Sequence, residues 1–306
     1  MHDFEVTILG CGSATPSLLR NPSAQLLNAA GHSFLIDCGE GTQIQLRKNN
    51  IKIQRISHVF ISHLHGDHYL GLLGLLQTMH LLGRKTNLTL VCPPELKEII
   101  DLQNKYSQTT IVYEIDYIFT DPKQAEKVWE DDKIEVSTFP LRHRINCTGF
   151  LFKEKPHLKS INKEKLIQFK VPTSEVNKLR LGLDAIDDSG KTIANELLTL
   201  PAHPQRSYAY CSDTNYFEAI IEHVKEVDLL YHESTFLLAE LDRAKKTFHS
   251  TATQAATIAS KAQVKQLLLG HFSARYGTTE GFIEEAKPVF ENTLVAVEGT
   301  TYKVGI

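Results

Sequence analysis

His63-Leu64-His65-Gly66-Asp67-His68 places three imidazoles and a carboxylate within six residues, directly after an apolar run at 58–62 (HVFIS). Such donors converge on one cavity only where the chain curls after a strand, and Gly66 gives the backbone freedom for a tight turn. Imidazole nitrogen and carboxylate oxygen together suit zinc, with manganese or iron compatible on ligand type. A cluster of surface histidines is the plain alternative. With only 14 histidines in 306 residues, however, chance does not produce this density. The stretch reads as the first part of a metal site carried at the end of a strand.

Strand and helix signals alternate on both sides of it. Residues 4–9 and 33–37 read as strands, the second running into Cys38-Gly39-Glu40-Gly41-Thr42 before a helical stretch that ends near Lys48. A Leu- and Gly-rich helical run occupies 69–82, a strand at 88–92 stops at Pro93-Pro94, and 95–105 is helical. Residues 110–119 alternate as a half-buried strand does, and strands at 134–138 and 149–152 bracket Pro140-Leu141-Arg142-His143. In the last third, 207–211, 228–231, 264–269 and 293–297 read as strands, with helices at 250–261 and 279–290. Polar clusters follow strands throughout, which is the pattern of an α/β layered domain. Between 153 and 206 the periodicity weakens around Pro156, Pro172, Pro201 and Pro204. This stretch reads as an excursion inserted into a single domain spanning 1–306, with one or two short helices of its own.

Composition narrows the class. A hydrophobic fraction of 42% is ample for a sizeable core and argues against disorder. No stretch reaches the ~18 apolar residues of a membrane span, and Met1-His2-Asp3-Phe4 shows no basic-then-apolar secretory pattern. The cysteines (Cys11, Cys38, Cys92, Cys147 and Cys211) are odd in number and form no CxxC pair. They read as buried, reduced thiols, which points to the cytoplasm. The net charge of −3 does not by itself suggest a nucleic-acid partner. Its distribution is more informative: eight Lys or Arg against three Glu between 153 and 180 give a local +5, leaving −8 on the remainder. A basic segment on an acidic body can meet a polyanion through that segment, although a solvated loop has the same composition.

The HxHxDH loop resembles that of the metallo-β-lactamase superfamily, whose remaining ligands come from later strand ends. His143, Asp213 and His271 each stand just after a predicted strand, where that pattern places them. The resemblance implies a four-layered αββα sandwich that holds two Zn2+. His63, His65 and His143 would bind one, Asp67, His68 and His271 the other, and Asp213 would bridge them. Two cations a few ångströms apart acidify a bridging water to hydroxide and stabilise both the attacking and the departing oxygen of a phosphodiester. Asp67 could also accept the proton of the attacking water.

Other stretches narrow the resemblance. Gly10-Cys11-Gly12-Ser13-Ala14-Thr15-Pro16, Arg20-Asn21-Pro22-Ser23-Ala24 and Phe34-Leu35-Ile36-Asp37-Cys38-Gly39-Glu40-Gly41-Thr42-Gln43 are similar to the ribonuclease Z family of tRNA 3′-processing endoribonucleases. So are Pro140-Leu141-Arg142-His143, Cys211-Ser212-Asp213-Thr214, His232-Glu233-Ser234-Thr235-Phe236, His249-Ser250-Thr251 and His271-Phe272-Ser273-Ala274-Arg275-Tyr276. They run in order along everything except the excursion. That resemblance implies removal of the 3′ trailer from precursor tRNA, leaving a 3′ hydroxyl on the tRNA and a 5′ phosphate on the trailer. It implies His249, at the edge of a predicted helix, as proton donor to the leaving oxygen, with Glu233 favouring the charged imidazole. It further implies that 153–206 is a flexible tRNA-binding arm, acting across a homodimer on the partner's active site. The family's arm has a Gly-Pro-rich tip, whereas this chain reads Val171-Pro172-Thr173-Ser174-Glu175-Val176-Asn177-Lys178-Leu179-Arg180-Leu181-Gly182. His32, His58, His80 and His232 read as supports of the fold, and His2, His157, His203 and His223 as surface. A small-substrate phosphodiesterase or arylsulfatase-like hydrolase of the same fold is the alternative. A non-enzymatic RNA-binding scaffold with a structural metal is a third reading.

Overall fold

The computed structural model describes residues 3–305. The chain divides into two compact units, residues 1–153 with 206–306, and residues 154–205.

The first unit is built on two seven-stranded sheets. In one, the strands Thr301–Lys303, Phe4–Gly10, Ala24–Ala29, His32–Cys38, Ile56–Phe60, Leu88–Cys92 and Ile115–Phe119 lie side by side in that order. The other runs Thr293–Val295, Leu267–Gly270, Leu229–Glu233, Ser207–Cys211, Cys147–Glu154, Ile134–Leu141 and Glu126–Glu130. Helices supply the crossovers between parallel strands, and tight turns join two antiparallel pairs, Ala24–Ala29 with His32–Cys38 and Glu126–Glu130 with Ile134–Leu141. Between the sheets lies an aromatic core, in which Phe34 meets Phe152 and Phe60 meets Phe150, each at 5.3 Å between ring centroids. The outer face of the first sheet is covered by Leu72, Leu75, Leu76 and Met79 of helix Gly66–Leu81 and by Leu96 and Ile100 of helix Glu95–Ser107. Helices Ile220–Val224, Ala252–Lys261 and Glu280–Ala286 pack on the second sheet. This is the four-layered αββα arrangement.

Helix Gly66–Leu81 starts three residues before the periodicity suggested, because Gly66, Asp67 and His68 form its first turn. Gly66 is therefore helical and makes no left-handed turn, a correction to the tight-turn reading. A carboxylate at Asp67 is favoured there by the positive end of the helix dipole. The helix seats closely on the loop after strand His32–Cys38. A Cβ on Gly71 would lie 2.1 Å from the Gly39 carbonyl oxygen, so only glycine permits this approach. Strands 88–92 and 207–211 stand where the sequence puts them, while the strand in 110–119 shrinks to Ile115–Phe119. Residues 110–114 run as a loop with a bend at 112–113, after helix Glu95–Ser107 and a left-handed residue, Gln108. All five cysteines are buried and unpaired, and burial pushes the Cys11, Cys38 and Cys92 thiols up to about 12. Among the described residues no helix is long and apolar enough to cross a membrane.

Residues 154–205 have a small core of their own, formed by Val171, Leu179, Ala185, Ile193 and Leu198, with Ile161, Leu166 and Phe169 against it. Helices Lys163–Gln168, Val176–Arg180 and Asn195–Leu198 alternate with two short ribbons, Ser160–Ile161 with Thr199–Leu200 and Ala185–Ile186 with Thr192–Ile193. Buried Asn195 ties these pieces together. Its amide donates to the Leu179 and Leu183 carbonyls at 2.8 Å each, and its Oδ1 accepts from Lys159 at 2.7 Å. A satisfied buried polar hub specifies one arrangement where so small a core leaves several open. Over the whole unit eight Lys or Arg meet seven Asp or Glu, so the positive excess is confined to its first half.

Candidate metal centre

The loop after strand Ile56–Phe60 and the first turn of helix Gly66–Leu81 carry His63, His65, Asp67 and His68. His143, Asp213 and His271 follow strands Ile134–Leu141, Ser207–Cys211 and Leu267–Gly270. The structure brings all seven together. His63, His65, His143 and Asp213 have donor atoms within 4.8 Å of one another, as do Asp67, His68 and His271. In the first group Nδ1 of His65 lies 3.0 Å from Nε2 of His63 and 3.1 Å from Nε2 of His143. In the second, Nε2 of His68 and Nε2 of His271 are 3.3 Å apart, and Oδ2 of Asp67 is 3.4 Å from each. Asp213 stands between the groups: Oδ2 is 3.6 and 3.7 Å from His63 and His143, Oδ1 3.3 and 3.1 Å from His68 and His271.

The outward nitrogen of four of these rings is tied down. Nδ1 of His143 donates to the Phe248 carbonyl at 2.9 Å, and Nδ1 of His68 lies 2.7 Å from Oδ2 of Asp37. Nδ1 of His63 lies 3.0 Å from Ser62 Oγ, and Nδ1 of His271 lies 2.9 Å from Thr235 Oγ1. These contacts fix each ring's orientation and leave Nε2 to face inward. Asp37 is buried and also accepts from the Ser62 N–H at 2.8 Å, Ser62 Oγ at 2.9 Å and Tyr210 Oη at 2.7 Å. Both Asp37 and His271 sit in the left-handed region, at φ 54 and 60, a strained conformation for non-glycine residues that the surrounding packing holds. The sequence reading did not single out Asp37, Ser62 or Thr235 for this role. Their only signal was membership of the quoted stretches, and an Asp at a strand end reads as a turn residue.

Metal ions fit this donor set. A tetrahedral zinc with Zn–N of about 2.1 Å sets neighbouring nitrogens about 3.4 Å apart, close to both groups' spacing. Imidazole nitrogens turned toward one another at 3.0 to 3.1 Å repel unless a hydrogen or a cation lies between them. Oδ1 of Asp213 is buried with no hydrogen-bond partner, which is costly for a carboxylate unless a cation takes it. Burial alone would lower the pKa of His68, but Asp213, Asp67 and Asp37 hold it well above the usual imidazole value. That is the response of a buried site with an excess of carboxylate charge.

A proton-donor pair adjoins these groups. Glu233 is fully buried and gathers donors: Oε1 accepts from the backbone N–H groups of Thr214 at 3.1 Å and Ser250 at 3.0 Å, and Oε2 accepts from Thr235 N–H at 2.9 Å and its hydroxyl at 2.8 Å. Nδ1 of His249 lies 2.9 Å from Oε1. Burial alone would depress the His249 imidazole, but Glu233 holds it up, to about 9. His249 follows helix Leu241–Thr247 and precedes the Thr251 cap of the next helix, and its ring centroid is 5.2 Å from that of His143 and 5.4 Å from that of His271. His65, Asp67, His143, Asp213, His249 and His271 line one cavity of about 400 Å³. Of the other histidines, His58 and His232 are buried, His32 and His80 half-buried, and His203 exposed. His157 and His223 are half-buried rather than free on the surface: His157 is drawn 3.2 Å from Glu154, and His223 is stacked on Phe139. His2 lies outside the described residues.

A family model described as "Anti-Pycsar protein Apyc1" matches residues 4–166. A Bacteroides fragilis protein named ribonuclease Z is 46% identical across 97% of this chain and 98% of its own length. The crystal structure of human tRNase Z, short form (ELAC1), is 28% identical with a TM-score of 0.71, covering 99% of this chain and 100% of that one. The metallo-β-lactamase fold protein YhfI of Bacillus subtilis superposes at a TM-score of 0.69 over 99% of this chain and 100% of that one. Its 19% identity makes that a likeness of fold alone.

Proposed function

The chain belongs to the ribonuclease Z family, and we propose on that premise that it is the endoribonuclease that cuts the 3′ trailer from precursor tRNA at this centre. The observation that carries the reading is the convergence of two donor groups and a Glu233–His249 pair on one cavity. His63, His65 and His143 would hold one zinc ion and Asp67, His68 and His271 another, with Asp213 between them. When bound, such a pair acidifies water and neutralises charge on the phosphate oxygens. Oδ2 of Asp67 is held by the Ala14 N–H at 2.6 Å, which leaves Oδ1 to take the proton of the attacking water. With Nδ1 of His249 committed to Glu233, Nε2 gives its proton to the ribose 3′ oxygen as that oxygen leaves phosphorus. The tRNA then ends in a 3′ hydroxyl and the trailer keeps the 5′ phosphate. Without that proton the departing group would be an alkoxide, which leaves poorly.

In this reading residues 154–205 are the tRNA-binding arm. Lys163, Lys170 and Arg180 border an apolar hollow there and would meet the RNA backbone. The arm serving the partner's active site across a homodimer, and action in the cytoplasm, rest on the family likeness. The test is a 3′-extended tRNA transcript incubated with the purified protein, with both product ends mapped. One cut giving a 3′ hydroxyl and a 5′ phosphate, abolished by chelator, is the expected result. A 2′,3′-cyclic phosphate, or hydrolysis of small phosphodiesters alone, would overturn the reading in favour of a different phosphodiesterase.

A further inference from the structure

The cavity over the donor groups has walls of different character. Pro16, Pro22 and Leu70 give it apolar surface, and the His65–His143 side carries Arg144. Among the described residues lining it, Arg144 is the single Lys or Arg. Its side chain is exposed and makes no ion pair with a carboxylate among the described residues, and its near polar neighbour is Nε2 of His65, at 3.4 Å from a terminal guanidinium nitrogen. His65 turns Nδ1 toward His63 and His143, so that a cation held on Nδ1 would put the ring hydrogen on Nε2. With a cation so held, the contact with Arg144 would bring two donors together and satisfy neither, and at 3.4 Å it is long in any case. The guanidinium keeps its fork of N–H donors for something that enters from outside.

We infer that Arg144 grips the phosphate adjacent to the scissile one, and so selects a nucleic-acid strand over an isolated phosphodiester. The inference deepens the function proposed above and rests on it. The scissile phosphate belongs over the two donor groups, and Arg144 stands outward of His65, beyond them. A planar fork matches two oxygens of one phosphate, a geometry that a lysine's point charge does not reproduce.

The test uses precursor tRNAs that carry one uncharged methylphosphonate, placed in turn at each linkage flanking the cut. In the wild-type protein one of the two should lower kcat/KM about tenfold, the loss of one charge-assisted contact. Arg144→Ala should cleave the unmodified precursor about tenfold more slowly and be indifferent to that same methylphosphonate, with Arg144→Lys falling between them. Binding of an uncleavable precursor, blocked by a methylphosphonate at the scissile linkage, gives a readout independent of turnover. Its log-affinity against log-salt slope should be shallower by about 0.7 to 0.9 in Arg144→Ala. Losses that multiply when variant and modification are combined, or an unchanged salt slope, overturn the inference. A wild-type protein that cleaves the precursor but ignores both modifications refutes Arg144's role alone, whereas one that never cuts the precursor refutes the function itself.

Discussion

Among the described residues that line the cavity, His249 is the imidazole whose far nitrogen is held by a buried carboxylate, at 2.9 Å, and replacing it with alanine removes that group. Glu233 raises the imidazole to about 9 against the opposing effect of burial, and cations bound beside it would act in the lowering direction. Activity that needs this proton is lost as pH rises through the group's pKa. A positioned general acid contributes about 10²- to 10⁴-fold, or roughly 2.7 to 5.4 kcal/mol of barrier. His249→Ala should therefore slow trailer removal by about a hundredfold or more. It should slow hydrolysis of bis(para-nitrophenyl) phosphate by less than about tenfold, because a nitrophenolate departs without a proton. Single-turnover rates on both substrates across the pH range supply the comparison, and the alkaline fall of the RNA rate should disappear in the variant. Equal losses on the two substrates, or an alkaline limb that survives the substitution, would refute the general-acid assignment.

Asp37→Asn should weaken metal binding about 10- to 100-fold in a chelator competition, since the Asp37 carboxylate orients His68 and collects donors from Ser62 and Tyr210; unchanged affinity would make it a purely structural carboxylate. Lys163→Ala, Lys170→Ala and Arg180→Ala combined should raise KM for precursor tRNA and flatten its salt dependence by two to three phosphate contacts, about 1.4 to 2.7 in slope. The same triple variant should leave hydrolysis of bis(para-nitrophenyl) phosphate unaltered, and equal loss on both substrates would count against the arm. His58 is packed among Trp129, Phe34 and Phe60, and burial lowers its pKa from 6.5 to about 4. The unfolded chain therefore binds this proton first, so the stability is fully present above 6.5 and is lost as pH falls to about 4, in total about 3 kcal/mol. His58→Gln should flatten that acid-side loss in urea unfolding, and an identical acid slope would show that other groups carry it.

The metal loop was legible because its chemistry is local: His63, His65, Asp67 and His68 are neighbours in sequence as well as in space. His143, Asp213 and His271 are far apart in the chain, and each alone reads as an ordinary strand-end residue. Only the family pattern tied them to the loop. Layering was legible from strands such as Leu88–Cys92, whose apolar run is bounded by Pro93 and Pro94. Ala24–Ala29 escaped because it contains no β-branched or aromatic residue, and Glu126–Glu130 because its apolar residues, Val128 and Trp129, are adjacent and flanked by charges, which gives no alternation. The order within 154–205 was hidden for another reason. Among the described residues none of its helices or strands exceeds six residues, too short for a periodicity to accumulate, and its core is assembled from single residues such as Val171, Leu179 and Leu198. Asp37 was overlooked because its function depends on burial against Tyr210 and His68, which no local pattern reports.

The central claim is that the seven converging side chains bind metal and that the reaction depends on it. Elemental analysis of the purified, active protein, with trailer removal assayed before and after chelation and again after zinc is restored, tests this most directly. The account predicts two ions per chain, loss of activity in step with their removal, and recovery when zinc returns. Full activity in protein that holds no metal would contradict it.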